Sequence, residues 1–325
     1  MAVKAHPRLG EQRRGIRPLD PMRDMPAIVE LVTLGFEEEL DPQGQKMLAE
    51  MRRAARYRTF SALTTSIELD PVGFVWVEEG RVVGNLSLRY ALPTKTGGQI
   101  IGNVVVHPDY RGRGIGRALV EAAILAVQRQ GCRWIGLEVR ENNPVACGLY
   151  THLGFEKVGK QQHLLRPAGI PWPAGVVSPL PWRASKPRDC LLWTQLADAV
   201  YTCRQKWVLE VRPSQYTFGG WERCLNRWFE GEREHAWLYG AGEARLALCV
   251  HTDWRSRFHL WDMLVHPATG AVGAQATVAQ ALQATRRFSP WPVIALVADQ
   301  EPLVQALFDV GFKLHRTLVQ MVLEL

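Results

Sequence analysis

Apolar and polar residues recur along this chain with two different periods, and the places where the period changes mark out its elements. A strand is expected at Gly15–Pro18. Met22–Phe36 then sets Ile28, Leu31, Val32 and Gly35 along one stripe, the spacing of a helix with one buried face. A second helix is expected over about Pro42–Tyr57. Gly73–Glu78 and Arg81–Ala91 alternate apolar and polar residues about Glu79-Gly80, a hairpin pattern. Ile100–His107 reads as a strand, Gly116–Arg129 as a helix with Leu119, Ala122, Ala123 and Ala126 at helical spacing, Trp134–Arg140 as a strand and Pro144–Leu153 as a short helix.

The second half runs through the same kinds of element. A helix is expected at Gly219–Glu230, strands at Ala236–Tyr239, Ala244–His251 and Phe258–Val265, a helix at Ala274–Thr285, a strand at Val293–Ala298 and a helix at Pro302–Val310. Two words recur: Val106-His107-Pro108 returns as Val265-His266-Pro267, and Leu153-Gly154-Phe155 as Val310-Gly311-Phe312. The landmarks lie at nearly equal separations, so a duplicated domain with a repeat of roughly 150 residues is the economical reading. Between the halves, Arg166–Arg188 holds six prolines and little periodicity, which reads as an extended linker. The expected organisation is therefore a disordered tail over 1–14, a first domain over 15–166, a linker over 167–189 and a second domain over 190–325.

Composition narrows the class. The chain has 325 residues, 47% hydrophobic and 22% charged, enough for two cores. No apolar run approaches the ~20 residues of a membrane helix, and the basic first residues are not followed by an apolar stretch, so neither a membrane span nor a secretory signal is expected. The six cysteines stand singly without metal-ligand spacing; free thiols in a reducing cytoplasm, and no metal, are the expectation. The net charge of +7 fits a nucleic-acid partner in principle, but the arginines are scattered and no nucleic-acid motif is present. A basic protein that binds a polyanionic cofactor explains the charge more simply.

Candidate chemistry lies in Arg111-Gly112-Arg113-Gly114-Ile115-Gly116, between a strand and the start of a helix. Glycines let a backbone approach a ligand closely, and its N–H groups and the helix N-terminus then favour an anion. Arg111, Arg113 and Arg117 add full charges, an arrangement suited to a pyrophosphate. The segment lacks the Gly-Lys-Ser/Thr end of a nucleotide-hydrolysing loop, and it comes too late in a mostly antiparallel sheet for a dinucleotide fold. A tight turn without a ligand is the bland alternative.

Val104-Val105-Val106-His107-Pro108-Asp109-Tyr110 followed by that loop resembles the acetyl-coenzyme A signature of the GNAT (GCN5-related N-acetyltransferase) superfamily, with Arg111, Gly114 and Gly116 at its characteristic positions. Asn143, Ala146, Leu149-Tyr150 and Gly154-Phe155 match a second signature in order and spacing. The resemblance covers roughly residues 15–166 and is fainter beyond. It implies an α/β fold of the α+β type: two GNAT-like domains, each a mixed, mostly antiparallel twisted sheet flanked by helices, with the fourth and fifth strands splayed apart. It also implies acetyl-coenzyme A as co-substrate. The backbone around Val104, Val105 and Val106 would hold the pantetheine arm, Arg111 to Arg117, with Ile115 among them, the phosphates, and Asn143 with Ala146 the other side of the arm.

By the same resemblance Tyr150 stands beside the sulfur and supplies its proton, unless it is a packing aromatic. An unperturbed phenol near 10 and a thiol near 8.5 make full transfer uphill by about 2 kcal/mol. Glu138 sits where the family's amine-terminal protein acetyltransferases carry a carboxylate base; a salt bridge with Arg140 or Arg133 is the equal alternative. Glu37, Glu38 and Glu39 either attract a cationic acceptor or form a solvated face. Aligned on Val-His-Pro, Arg111, Gly112 and Gly116 correspond to Gly270, Ala271 and Gln275, and only Gly273 keeps its place. The tyrosine position falls on Leu307 or Phe308. The expectation is a cytoplasmic N-acetyltransferase with one working site, acting on a small-molecule or peptide amine, as a monomer with two pseudo-dimeric domains or a homodimer. A degenerate second domain completes the acceptor pocket or senses another metabolite. A coenzyme A-binding regulator without turnover is the alternative.

Overall fold

The computed structural model describes residues 14–36, 40–57, 72–92, 97–240 and 243–325. Residues 1–13 of the expected tail and Glu37–Glu39 lie outside these; Arg14, placed in the tail, opens the first strand. In chain order the elements are β1 (Arg14–Pro18), α1 (Pro21–Phe36), α2 (Pro42–Tyr57), β2 (Val72–Glu78), β3 (Arg81–Tyr90), β4 (Gly98–Val106), α3 (Ile115–Arg129), β5 (Trp134–Arg140), α4 (Pro144–His152), β6 (Glu156–Arg166) and β7 (Arg183–Ala184). There follow α5 (Cys190–Val200), α6 (Cys203–Val208), α7 (Trp221–Glu230), β8 (Glu232–Tyr239), β9 (Leu246–Asp253), β10 (Phe258–Val265), α8 (Gly270–Thr285), β11 (Val293–Ala298), α9 (Glu301–Phe308) and β12 (Lys313–Glu324). The chain forms two compact units, one running to Leu137 with Leu323–Leu325, the other Glu138–Val322. This division differs from the domain boundaries expected from sequence, because β6 belongs to the sheet of the second unit.

In the first unit β1, β2, β3 and β4 pair antiparallel in sequence order, and β4 pairs β5 parallel. Val75 and Val77 point to one face with Val105, where α1 and α2 bury Ile28, Leu31, Val32 and Leu48 against them. Trp76, between those valines, must point to the other face, which α3 covers with Leu119, Val120, Ala123 and Val127. Each fully buried aliphatic side chain contributes about 1.5–3 kcal/mol. At the entry of α1, Arg17 donates two hydrogen bonds to Asp24, 2.6 and 2.7 Å, with both side chains buried.

In the second unit the strand order is β12-β6-β11-β10-β9-β8-β7, antiparallel except for β10 and β11. Here Arg166–Arg188 is not a free spacer. Arg166 is fully buried and donates to the carbonyl oxygens of Val310, Ile170 and Pro171. Trp172, Val176, Leu180 and Trp182 pack on the core between the sheet, α8 and α9. The prolines thus fix an extended path over an apolar surface. Trp193, Trp261 and Tyr216 fill the interior, whereas Trp221 and Trp228 on α7 are exposed. Among the described residues no helix is long and apolar enough to cross a membrane.

Candidate active site

The site begins where two strands part. The parallel pairing of β4 with β5 ends at Ile101 opposite Leu137, and β4 continues to Val106 beyond it. At that point the pairing of β3 with β4 shifts register between Asn85/Val105 and Ser87/Gly102, so that β4 bulges at Asn103–Val104. Asn103 takes a φ of 50°, and its carbonyl accepts a hydrogen bond from the buried Asn85 amide at 3.0 Å. A bulge sharpens the local bend and re-aims the strand. Val105 turns into the core beneath α1, whereas Val104 and Val106 remain half-buried.

Beyond β4, His107 caps a short 3-10 turn over Pro108–Tyr110, its Nδ1 accepting from the Asp109 N–H at 3.3 Å. Gly112 and Gly114 follow with φ of 75° and 77°, the left-handed region that a side chain disfavours. Nothing lies within 4 Å of where a Cβ on either would stand, so space exists against this backbone. Gly114 is the N-cap of α3 and offers no side-chain acceptor to its first turn. Ile115 is buried under the loop, while Arg111, Arg113 and Arg117 are exposed and Gly116 half-buried. The arginines do not simply repel one another. Arg111 donates to the Val106 carbonyl (3.1 Å), Arg113 to the Asp109 carbonyl (2.9 Å) over the Tyr110 ring, and Arg117 pairs with Glu121 (2.8 Å).

The second motif lies in the other unit. Asn143 caps α4, its Oδ1 accepting from the Ala146 N–H at 3.0 Å, and Pro144 occupies the first helical position. The Ala146 N–H is therefore engaged in the cap, and the Asn143 amide nitrogen is what this exposed side chain has to donate. Tyr150 is buried, 6% exposed, with its ring edge-to-face on Phe155 at 5.8 Å. Burial, assisted by Cys147, pushes its hydroxyl pKa up to about 12. Glu138 is exposed, and its described contact is with neither Arg140 nor Arg133. Its Oε1 accepts a 2.7 Å hydrogen bond from Gln320, a fully buried side chain on β12. Gln320 accepts in turn from Gln205, which also donates to the Lys160 carbonyl. Sequence reasoning missed Gln320; its signal is a lone amide inside Leu318-Val319-Gln320-Met321-Val322.

The second half repeats these turns with a shorter loop. His266 accepts from the Ala268 N–H as His107 does from Asp109, and the 3-10 turn Pro267–Thr269 matches Pro108–Tyr110. Counted from the histidines, α3 starts eight residues on and α8 only four. The stretch equivalent to Arg111–Gly114, Gly270–Gly273, is therefore the first turn of α8 itself, and the Gly270 N–H donates to the Pro267 carbonyl. Gly273 keeps its place but is helical and packed against Thr269. Gly154 and Gly311 share a φ of 90°, and Phe155 N–H donates to Tyr150 as Phe312 N–H does to Leu307. Leu307, fully buried, is thus the counterpart of Tyr150.

Residues 34–155 match the acetyltransferase (GNAT) family. The chain is 33% identical over 159 residues to a mycothiol acetyltransferase of Saccharomonospora viridis, covering 47% of this chain and 48% of that protein. It is 44% identical over 55 residues to the alanine N-acetyltransferase of ribosomal protein bS18 from Escherichia coli, 17% of this chain and 37% of that one. The chain thus spans about half or less of the length of these curated relatives. Over nearly its whole length it superposes on a tandem GNAT protein from the clavulanic acid biosynthesis pathway (17% identity, TM-score 0.59, 96% of this chain and 98% of that one). A GCN5-related N-acetyltransferase from Sphaerobacter thermophilus gives a TM-score of 0.63 at 16% identity, over 97% and 96% of the two chains. At such identities the likeness shows a shared fold.

Proposed function

We propose that this chain, whose residues 34–155 belong to the acetyltransferase (GNAT) family, transfers an acetyl group from acetyl-coenzyme A to an amine by direct attack. The observation that carries the proposal is the open run of β4 beyond Ile101, leading straight into a glycine loop and a helix start without a side-chain cap. A strand left without its neighbour offers backbone groups to an extended arm. The loop offers N–H groups and the positive end of a helix to a pyrophosphate. Both features suit one ligand, a diphosphate carrying a long amide-bearing arm. Acetyl-coenzyme A brings the thioester, whose C–S bond breaks as the N–C bond forms and the sulfur leaves as thiolate; the chain supplies orientation, a hydrogen bond to that sulfur and a base for the amine proton.

In this proposal the N–H groups of Gly112 to Gly116 take the phosphates, with Arg111, Arg113 and Arg117 around them. The backbone at Val104–Val106 lies along the arm, and the Asn143 amide donates to it. Tyr150, neutral at every physiological pH, donates a hydrogen bond to the leaving sulfur. Glu138, held in place by Gln320, accepts the proton that the amine must lose. The two named relatives differ in the acceptor their names state, so the acceptor class of this chain is to be found by experiment. A panel of small amines, amino acids and peptides is incubated with acetyl-coenzyme A while thiol release is recorded. Release that depends on one amine class, and is lost on Glu138→Gln, supports the proposal. Binding of acetyl-coenzyme A with no release from any acceptor overturns it in favour of a non-catalytic coenzyme A-binding protein.

A further inference from the structure

We propose that the second unit holds a ligand site of its own, a groove that takes a small planar anion of the mononucleotide class. The groove has a volume of about 490 Å³ and is walled by Trp228, Arg233, Trp254, Arg255, Phe288 and Trp291. That volume is in the ordinary range for a small-molecule site, roughly 300–1,000 Å³. It lies at the start of β10, whereas the counterpart of the phosphate loop follows the other end of that strand, roughly 25 Å away at 3.3 Å per residue. It is therefore not a remnant of the cofactor site.

Two guanidinium groups, Arg233 and Arg255, line this groove, and a third, Arg287, stands over its Phe288 wall. Arg233 stands 5.6 Å from the centre of the Trp254 ring, Arg287 5.0 Å from that of Phe288, and Arg255 donates to the Phe229 carbonyl at 2.8 Å. Among the described residues none of the three forms an ion pair with a carboxylate. The nearby acids are already engaged: Glu232 and Glu234 pair with Arg223 and Arg227, and the buried Asp253 accepts from the backbone of its own turn. The positive field reaches His235, whose pKa is lowered by burial first and then by Arg287 and Arg233. An anion among these groups would meet an excess of positive charge, and a planar ring would find aromatic faces on which to stack.

The walls are fixed before any ligand arrives. Asp253 accepts from the N–H groups of Arg255 and Ser256 at 2.9 and 2.7 Å, which locks the turn bearing Trp254 and Arg255. The Arg255 stem lies across Gly231, where a Cβ would come within 2.5 Å of it. Behind the wall His259 is fully buried, bonded through Nδ1 to Thr252 Oγ1 at 3.0 Å and stacked on Trp291 at 5.4 Å. A preformed, cationic, aromatic cleft is the arrangement of a binding site.

The test is calorimetric titration of the full chain with AMP while acetyl-coenzyme A is saturating, so that the phosphate loop is occupied. One AMP per chain is expected. The double variant Arg233→Gln, Arg255→Gln and the variant Trp254→Ala should each bind it at least tenfold more weakly while holding acetyl-coenzyme A as the parent does, which shows that they are folded. Adenosine should bind at least tenfold more weakly than AMP. No AMP binding overturns the proposal, as do unchanged binding in both variants or equal affinity for adenosine. Tight binding of a single-stranded oligonucleotide without binding of AMP also overturns it, and identifies a nucleic-acid surface instead.

Discussion

Replacing Tyr150 by phenylalanine separates two roles that the sequence left open. The ring stays in place, since its packing on Phe155 and its burial involve carbon atoms that phenylalanine keeps. What is lost is one hydroxyl. With the phenol pKa near 12 and a thiol near 8.5, complete proton transfer to the leaving sulfur is uphill by about 3.5 units, or about 5 kcal/mol. The site has thus moved Tyr150 away from acid catalysis rather than toward it. As a neutral donor to a sulfur gaining negative charge, its hydroxyl is worth about 1.5–3 kcal/mol. The variant should therefore lose roughly ten- to hundredfold in kcat, with KM for acetyl-coenzyme A nearly unchanged. Thiol release measured against pH is the assay. The raised pKa keeps the phenol protonated up to about pH 12, so the parent should show no alkaline fall in kcat that Tyr150→Phe abolishes. Such a fall at pH 8–10, or a loss in kcat beyond about ten-thousandfold, would refute the reasoning.

Further outcomes follow from the same geometry. Asp24→Ala leaves the buried Arg17 guanidinium without its carboxylate and should destabilise the first unit by about 3–5 kcal/mol in urea unfolding; a change under about 1 kcal/mol would contradict the assigned burial. His259 has its pKa pushed down to about 4, chiefly by burial. Between the unfolded value near 6.5 and 4 the unfolded chain binds the additional proton, so stability present at neutral pH is lost as pH falls through that window, by about 3 kcal/mol. His259→Gln should remove that part of the acid slope, seen as a smaller drop in unfolding free energy from pH 7 to pH 4; an unchanged slope sinks the assignment. Gln320→Leu should lower kcat while leaving acetyl-coenzyme A binding as it was, because it frees Glu138 without touching the phosphate loop; parental kcat would show that Glu138 needs no support.

The legible part of the fold is the part whose side chains face a core from one side only. α1 and α3 show their period because each has one wet face, and the β2–β3 hairpin is announced by the Glu79-Gly80 turn, where both residues take positive φ. β6 shows no such period: Glu156, Lys157, Lys160, Gln161 and Gln162 give no alternation, and its strand form comes from pairing with β11 on one edge and β12 on the other. β12 went unread for the same reason, and α5 carries a stripe, Trp193, Leu196 and Ala197, hidden behind a proline-rich approach. At the candidate site, the glycine loop was legible because Gly112 and Gly114 stand where the backbone turns left-handed. The bulge at Asn103 and the bond from Gln320 to Glu138 were not. The first has its one sequence signal in Gly102, a glycine inside a strand pattern beside the bulge, and the second joins residues 182 positions apart.

The central claim, one working cofactor site in the first half of the chain, is tested most directly by the stoichiometry of acetyl-coenzyme A binding. Titration of the parent, of Gly114→Trp and of Gly273→Trp distinguishes the open loop from its helical counterpart. One molecule per chain is expected, abolished by a side chain at Gly114 and retained after the change at Gly273. Two molecules per chain, or binding that survives Gly114→Trp, would contradict it.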